Sequence, residues 1–352
     1  KSIRSVGLIK RLFERGGDRL RGIMCFTVEE AAFLNSRGLD NLLVAYPSLQ
    51  STDMELLAGL TKKGADVCLM TDGVMHIRTM GEAGRRAGVE LQAVIDTDMS
   101  YRPGGGRVHI GVRRSPVRTG TEAFRLVEEA RKVGGVKVIG VMGYEAQVAG
   151  LADRNPFSPS MNPVRRLIRE KSIPVAEERR HSVVDYMRDK GVELRIVNGG
   201  GTGSVDSTSR DSSVTEVTAG SGFFCPHLFS YFSNIKLEPA AFFALQVVRV
   251  PAEGMVTCFG GGYIASGEIG PDRLPVPYLP EGCELLKLEG AGEVQTPVVI
   301  KKGTPPALGD IVVFRHAKAG ELSERFNEYL LIQGKTIIGS EKTYRGDGMC
   351  FA

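Results

Sequence analysis

The chain has 352 residues, 42% of them hydrophobic and 24% charged, the proportions of a soluble globular enzyme, and no apolar run approaches the ~18 residues that a membrane span needs. Its 45 basic and 41 acidic residues are interspersed and leave a net charge of only +4, so no nucleic-acid footprint is indicated and the expected partner is a small molecule. Single cores stop growing at around 250–300 residues, so one large domain and a smaller one are expected. Six cysteines without C-x-x-C spacing read as reduced, buried thiols in a cytoplasmic protein.

From Ser2 to Gly16 the apolar residues Ile3, Val6, Ile9, Leu12 and Phe13 recur at helical spacing, with Gly16 and Gly17 as the stop. The short run from Gly22 to Phe26 reads as a buried strand. Thr27 follows as an N-cap, with Glu30 completing a capping box, and Gly38 ends that helix. The same strand-then-helix unit recurs with Asn41 to Tyr46 and a helix from Ser51 to Lys63, then with Asp66 to Met70 and a helix to Gly88. It recurs again with Leu91 to Asp96, a glycine-rich loop and a helix from Thr121 to Val133. Val136 to Met142 and Leu194 to Asn198 are further strands, separated by a proline-rich loop (Asn155 to Pro163) and a long helical region to Lys190. Val214 to Val217 is the last.

Nearly continuous Val, Ile and Leu strands alternating with helices predict a parallel α/β fold. Seven strands are visible, whereas a closed (β/α)8 TIM-type barrel needs eight. The missing one is expected upstream of Lys1, which places Lys1 at the C-terminal end of strand one, the face where such barrels carry their active sites. The chain also lacks an initiator methionine, and residues are expected before Lys1. After Phe223 the helical periodicity fades into β-rich runs: Leu245 to Val250, Met255 to Phe259, Val298 to Ile300, Asp310 to Phe314, Glu328 to Ile332 and Thr336 to Ser340. The expected organisation is a barrel over residues 1–222 and an all-β domain over 223–352.

The strongest local signal is Asn198, Gly199, Gly200, Gly201, Thr202, Gly203, Ser204 at the end of the seventh barrel strand. Consecutive glycines let the backbone approach a ligand and expose N–H groups, and the two hydroxyls add donors, which together suit a phosphate. No Walker lysine follows, and no G-x-G-x-x-G fingerprint with its acidic partner is present, so nucleotides are disfavoured. In a closed barrel a lysine on strand one and a phosphate cradle on the last strands are neighbours. A Schiff-base lysine beside a bound phosphate is the signature pair of pyridoxal 5'-phosphate (PLP).

Lys1 to Arg4, the glycine loop, Thr215 to Ser221, Gly260 to Tyr263 and Arg315 to Leu322 together resemble the alanine-racemase-type (fold type III) PLP enzymes. Within that type they are most similar to the D-threonine aldolase and D-serine dehydratase-like group of amino acid deaminases and aldolases. The resemblance implies an internal aldimine on Lys1, a phosphate held by Gly200, Gly201, Thr202 and Gly203, and closure over it by Gly220, Ser221 and Gly222. It places Tyr144, at the end of the sixth barrel strand, facing the cofactor; the alternative is a rim tyrosine that only packs. The implied activity is a lyase acting on a small β-hydroxy amino acid of D configuration, in a homodimer. Racemisation is the alternative, with Tyr263 as the second base, supplied across a partner subunit; a non-catalytic PLP carrier is the remaining one. Lyases of the group carry a His-x-Cys pair that binds a divalent metal, but here the pattern is His316, Ala317, Lys318, and a protonated lysine cannot replace a thiolate. His316 is left as a candidate for substrate or metal, with its second ligand unknown, and Arg273 as a candidate for gripping a substrate carboxylate. Asp96 and Asp98, followed by Arg102, Arg113 and Arg114, either orient cofactor or substrate or form a salt-bridged rim. His76, His109, His181 and His227 share no metal-ligand spacing.

Overall fold

The computed structural model describes residues 1–351. Seven strands, β1 (Ile23–Cys25), β2 (Leu42–Val44), β3 (Val67–Thr71), β4 (Leu91–Asp96), β5 (Val136–Gly143), β6 (Ile196–Gly199) and β7 (Glu216–Val217), pair in chain order as one parallel sheet. Helices α1 (Val6–Gly16), α2 (Val28–Ser36), α3 (Ser51–Lys62), α4 (Val74–Ala87), α5 (Gly120–Val133), α6 (Ala146–Ala149), α7 (Asn162–Asp189) and α8 (Val205–Thr208) alternate with them.

The pleat divides the strand side chains into two populations. Leu42, Val44, Val67, Leu69, Ala93 and Ile95 pack against the helices, whereas Leu43, Cys68, Met70, Val94, Ile139, Met142 and Ile196 form a separate inner cluster joined by Met24 and Tyr144. The sheet therefore curls round its own filled interior, in the TIM-type arrangement expected. β1 and β7 are its edge strands, and Lys1 and Ser2 lie in the gap between them. The backbone nitrogen of Lys1 is 3.3 Å from the Met24 carbonyl in β1, and Ser2 Oγ is 3.4 Å from Ser221 Oγ just past β7. The expected eighth strand falls before Lys1 and so outside the chain described.

Two local expectations give way to tertiary structure. Helix α1 starts at Val6 and not at Ser2, because Arg4 adopts φ 51° and Ser5 caps the helix by accepting from Leu8 N at 3.4 Å. The predicted capping box of α2 is only half formed. Thr27 accepts from Glu30 N, but the Glu30 carboxylate is buried and takes its hydrogen bonds from Phe26 N at 2.6 Å, Lys1 N at 3.0 Å and Tyr344 Oη at 2.9 Å.

Beyond residue 223 a six-stranded antiparallel sheet contains β8 (Phe243–Ala252), β9 (Met255–Phe259), β10 (Val276–Leu279), β11 (Cys283–Leu285), β12 (Gln295–Ile300) and β13 (Ile311–Arg315), in the order β10-β13-β8-β9-β12-β11. Strands β10 and β11, absent from the sequence reading, are the outermost pair; β10 carries Pro277, which an edge strand tolerates. A hairpin of β14 (Glu328–Gln333) and β15 (Thr336–Lys342) then leads the chain back to the barrel, where Tyr344 and Phe351 pack against Phe33 with ring centroids 5.5 and 5.6 Å away. None of the described helices is long and apolar enough to cross a membrane. Because Tyr344 is a fully buried ring that also satisfies Glu30, Tyr344→Ala should cost on the order of 3–5 kcal/mol in urea unfolding, with the slope unchanged.

Candidate active site

The residues at the C-terminal ends of the barrel strands form a ring of contacts. Lys1 Nζ donates to Tyr46 Oη at 2.6 Å and lies 5.2 Å from the centre of its ring. The Arg114 guanidinium stands over the same ring at 5.7 Å and over the Tyr144 ring at 4.9 Å. Tyr144 lies against the glycine loop, so closely that a Cβ on Gly201 would sit 3.1 Å from its ring and 2.9 Å from Ala149. Within the loop Thr202 Oγ1 accepts from Gly222 N at 2.9 Å, and Ser221 meets Ser2 beside Lys1. The lysine and the two halves of the predicted cradle are thereby contiguous.

Glycine is required at the cradle for steric reasons. Gly200 has φ 81°, a region L side chains rarely adopt, and a Cβ on Gly203 would lie 2.3 Å from the Ala149 carbonyl. Gly220 faces Ser2, 3.1 Å from where its Cβ would be. Beneath the loop lies a buried ionic network that sequence reasoning missed. Glu145 accepts from Ser204 Oγ at 2.7 Å, from Thr208 Oγ1 and from Gly200 N at 3.4 Å, and pairs with Arg180 at 2.8 Å. Arg180 also donates to the Gly143 carbonyl at 3.0 Å and pairs with Asp211. One guanidinium on α7 thus joins β5, the cradle loop and the segment after α8. Arg169, on the same helix, donates to the Gly203 carbonyl at 3.3 Å and to Asn234 at 2.6 Å.

Tyr46 was also missed. Its only sequence signal is its place at the C-terminal end of a barrel strand. Burial raises the pKa of its phenol, but the charge and hydrogen bond of Lys1, with those of Arg114, outweigh that and hold it below the usual tyrosine range. Tyr144 has the opposite balance and is raised, because burial outweighs the pull of Arg114.

The two rim aspartates separate. Asp98 is a salt-bridged rim residue, held by Arg102 at 2.7 Å and by Arg118, with Ser100 donating as well. Asp96 makes no ion pair of this kind, and burial pushes it up to about 7 against the pull of Arg114, with Asp72 and Asp98 adding to the rise. Of the arginines that follow, Arg113 and Arg114 are both exposed, and Arg114 stands over the two rings.

Of the β-domain candidates, Tyr263 packs its ring against Phe243 and Phe326, with centroids 5.0 and 5.5 Å away, in its own domain. Arg273 is half-buried and donates to the Glu268 carbonyl at 3.3 Å; its charge, like that of Lys1, reaches Lys318. His316 is buried, and neither ring nitrogen has a hydrogen-bond partner. Burial, with the nearby His227 and Arg315, holds its pKa down to about 4, so the imidazole is neutral. Among the described residues, the only set of three His, Cys, Asp or Glu donors within 4.8 Å of one another is Glu177, His181 and Asp211, which does not include His316. That set was not legible from spacing, and its Asp211 is already committed to Arg180 and Ser213.

No family model matches the sequence. In sequence the chain is similar to a D-threonine aldolase of Arthrobacter sp., 22% identical over 72% of this chain and 62% of that protein. It is also similar to a 3-hydroxy-D-aspartate aldolase of Paracoccus denitrificans strain Pd 1222, 24% identical over 58% and 46%. The chain thus matches less than two thirds of the length of either relative. In fold it is similar to the crystal structure of D-threonine aldolase from Filomicrobium marinum, with TM-score 0.78 at 21% identity over 98% of this chain and 86% of that one. A D-threo-3-hydroxyaspartate dehydratase from Delftia sp. HT23 follows at TM-score 0.72 and 17% identity over 97% and 88%. An alanine racemase of Clostridium difficile 630 superposes at TM-score 0.53 and 14% identity over 90% and 77%. The architecture is the alanine-racemase-like, fold type III one. Within that architecture the D-threonine aldolase superposes on the chain more closely than the alanine racemase does.

Removing the cation shared by two buried carboxylates leaves both uncompensated, so Arg180→Met should lose roughly 3–5 kcal/mol in chemical unfolding. Asp96 binds its proton more tightly folded than unfolded, so between about pH 4 and about pH 7 its contribution to stability falls as pH rises. The Tm of Asp96→Asn minus that of the parent should therefore grow as pH is raised across that window.

Proposed function

We propose that this protein is a PLP-dependent lyase that acts on small β-hydroxy amino acids of D configuration, cleaving them as an aldolase or dehydrating and deaminating them. The observation that carries this reading is the ring Lys1, Tyr46, Arg114, Tyr144, Gly201, Thr202, Gly222, Ser221, Ser2, which sets one amine beside a glycine cradle at the barrel mouth. The aldolase and dehydratase relatives support it.

The residues fit the cofactor. The loop of Gly200, Gly201, Thr202 and Gly203, with Gly220, Ser221 and Gly222 beside it, is glycine-rich backbone whose N–H groups and hydroxyls suit a phosphate, and the protein packs too closely round Gly201 and Gly203 to admit a side chain there. Arg114 and Lys1 supply positive charge at the mouth, as an anionic group requires. When bound, PLP supplies an electron sink for the substrate's α-carbon. Lys1 is the anchoring amine and the base at that carbon, and Tyr46 orients it: the Lys1 amine donates a 2.6 Å hydrogen bond to the Tyr46 oxygen, which fixes the amine's direction. Tyr144 walls the cradle, and in this reading Arg273 receives the substrate carboxylate. The β-hydroxyl is taken up on the side of His316 and Lys318. The assembly in this reading is a cytoplasmic homodimer; the nearly bare Ile269 and Leu288 in the β-domain loops support a second copy there.

The test is to load the purified protein with PLP, reduce it with borohydride and map the modified peptide, then supply D-threonine, D-serine and D-3-hydroxyaspartate. Labelling at Lys1, lost in Lys1→Ala, with release of aldehyde or keto acid is expected. Labelling elsewhere, or recovery of only the enantiomer, overturns the reading. Tyr46→Phe should retain the cofactor but lower kcat by roughly 10–100-fold, the worth of one hydrogen bond to a charged group, with KM changed much less.

A further inference from the structure

The loop after β13 reaches the mouth of the barrel. Gly320 packs on the chain's start, 2.7 Å from the Lys1 carbonyl to where its Cβ would be. Two residues earlier, the Lys318 ammonium donates to Ser266 O at 3.1 Å and to Ser266 Oγ at 3.0 Å, and lies 3.8 Å from Glu321. Glu321 in turn accepts from Ser266 N at 2.7 Å and from Ser266 Oγ. The three residues clamp the loop after β9, which carries Arg273, to the loop after β13, whose Gly320 packs on Lys1. His316, at the start of the same loop, presents a neutral ring with both nitrogens unpartnered.

A divalent cation at this place needs deprotonated donors arranged round it. Position 316 offers one imidazole. Arg315 and Lys318 flank it with positive charge, and where the His-x-Cys pair of the resembled group has its thiolate this chain has the Lys318 ammonium, which cannot serve as a ligand while protonated. The donor chemistry therefore contradicts the metal that the fold's lyases carry.

We propose that the site beside Lys1 takes no divalent cation, and that the clamped Lys318 ammonium is its fixed positive charge, facing the side-chain oxygen of the substrate. The substrate-facing part rests on the lyase reading above; the exclusion of metal does not. An ammonium attracts an oxygen anion but, unlike a metal, cannot share a coordination sphere with it, so the site selects by charge and hydrogen bond.

The full-length protein, exposed to Mn2+ or Zn2+ and then dialysed, should carry far less than one metal per chain by plasma mass spectrometry, or an amount that His316→Ala leaves unchanged. One equivalent that His316→Ala removes overturns the proposal. This needs neither cofactor nor turnover, so a protein that failed to bind PLP would sink the lyase reading and leave the metal result standing. Lys318→Cys supplies the missing thiolate and should acquire one Co2+ with a thiolate charge-transfer band, abolished when His316→Ala is added; no band means that residue 318 is not what keeps metal out. In the loaded enzyme Lys318→Ala should raise KM roughly tenfold while a chelator leaves the parent's turnover untouched, and chelator-sensitive turnover overturns the proposal.

Discussion

The meeting of the chain's start with the segment beyond β7 is the constraint on which the rest depends. A curled parallel sheet with free edges at β1 and β7 has to bring those edges together, and here Lys1 and Ser2 lie between them, bonded to Met24 on one side and touching Ser221 on the other. An amine and a glycine cradle more than 190 residues apart in sequence become neighbours through that geometry alone. Held any other way, the two would have to be carried on mobile loops, and the positioning that chemistry needs would be lost.

Backbone flexibility in the cradle is offset from below. Three glycines in a row are entropically expensive to order. The Glu145 carboxylate spends itself on the loop, binding Ser204, Thr208 and Gly200, and Arg180 neutralises it while tying in Gly143 and Asp211. Buried ion pairs are poor sources of net stability, because desolvation consumes most of the Coulomb gain. Their value in this position is geometric: each partner fixes the others, and the loop has one conformation because its anchor does.

The βα rhythm and the cradle were legible in the sequence because both are local. Strand runs and N-caps such as Thr27 declare themselves within a few residues, and a glycine run means that backbone must approach something. Lys1 was legible only by combining strand counting with the cradle's position. What escaped was built across distance. Tyr46 and Arg114 are ordinary rim residues until the barrel curls, and Arg180 sits in a helix whose sequence reads as merely charged. Glu30 looked like a capping residue by its spacing from Thr27, yet a buried carboxylate does better with Phe26, Lys1 and Tyr344 than with its own N-cap. Strands β10 and β11 were invisible because they are short and lie at the sheet's edges, where pairing on one side suffices, and β10 carries a proline as well.

Glu30 also links the two ends of the molecule. Its carboxylate takes hydrogen bonds from Tyr344, from the backbone of Lys1 and from Phe26, while Arg4, three residues past Lys1, donates to the Lys1 carbonyl and pairs with Glu324 at 2.6 Å. The segment that carries Lys1 is thereby gripped from the barrel side by α2 and from the β-domain side by the chain's return. A domain that contributed only bulk would not need to reach back so far. By packing Gly320 against the Lys1 carbonyl, the β-domain reaches the mouth of the barrel, and the two halves of the chain meet there.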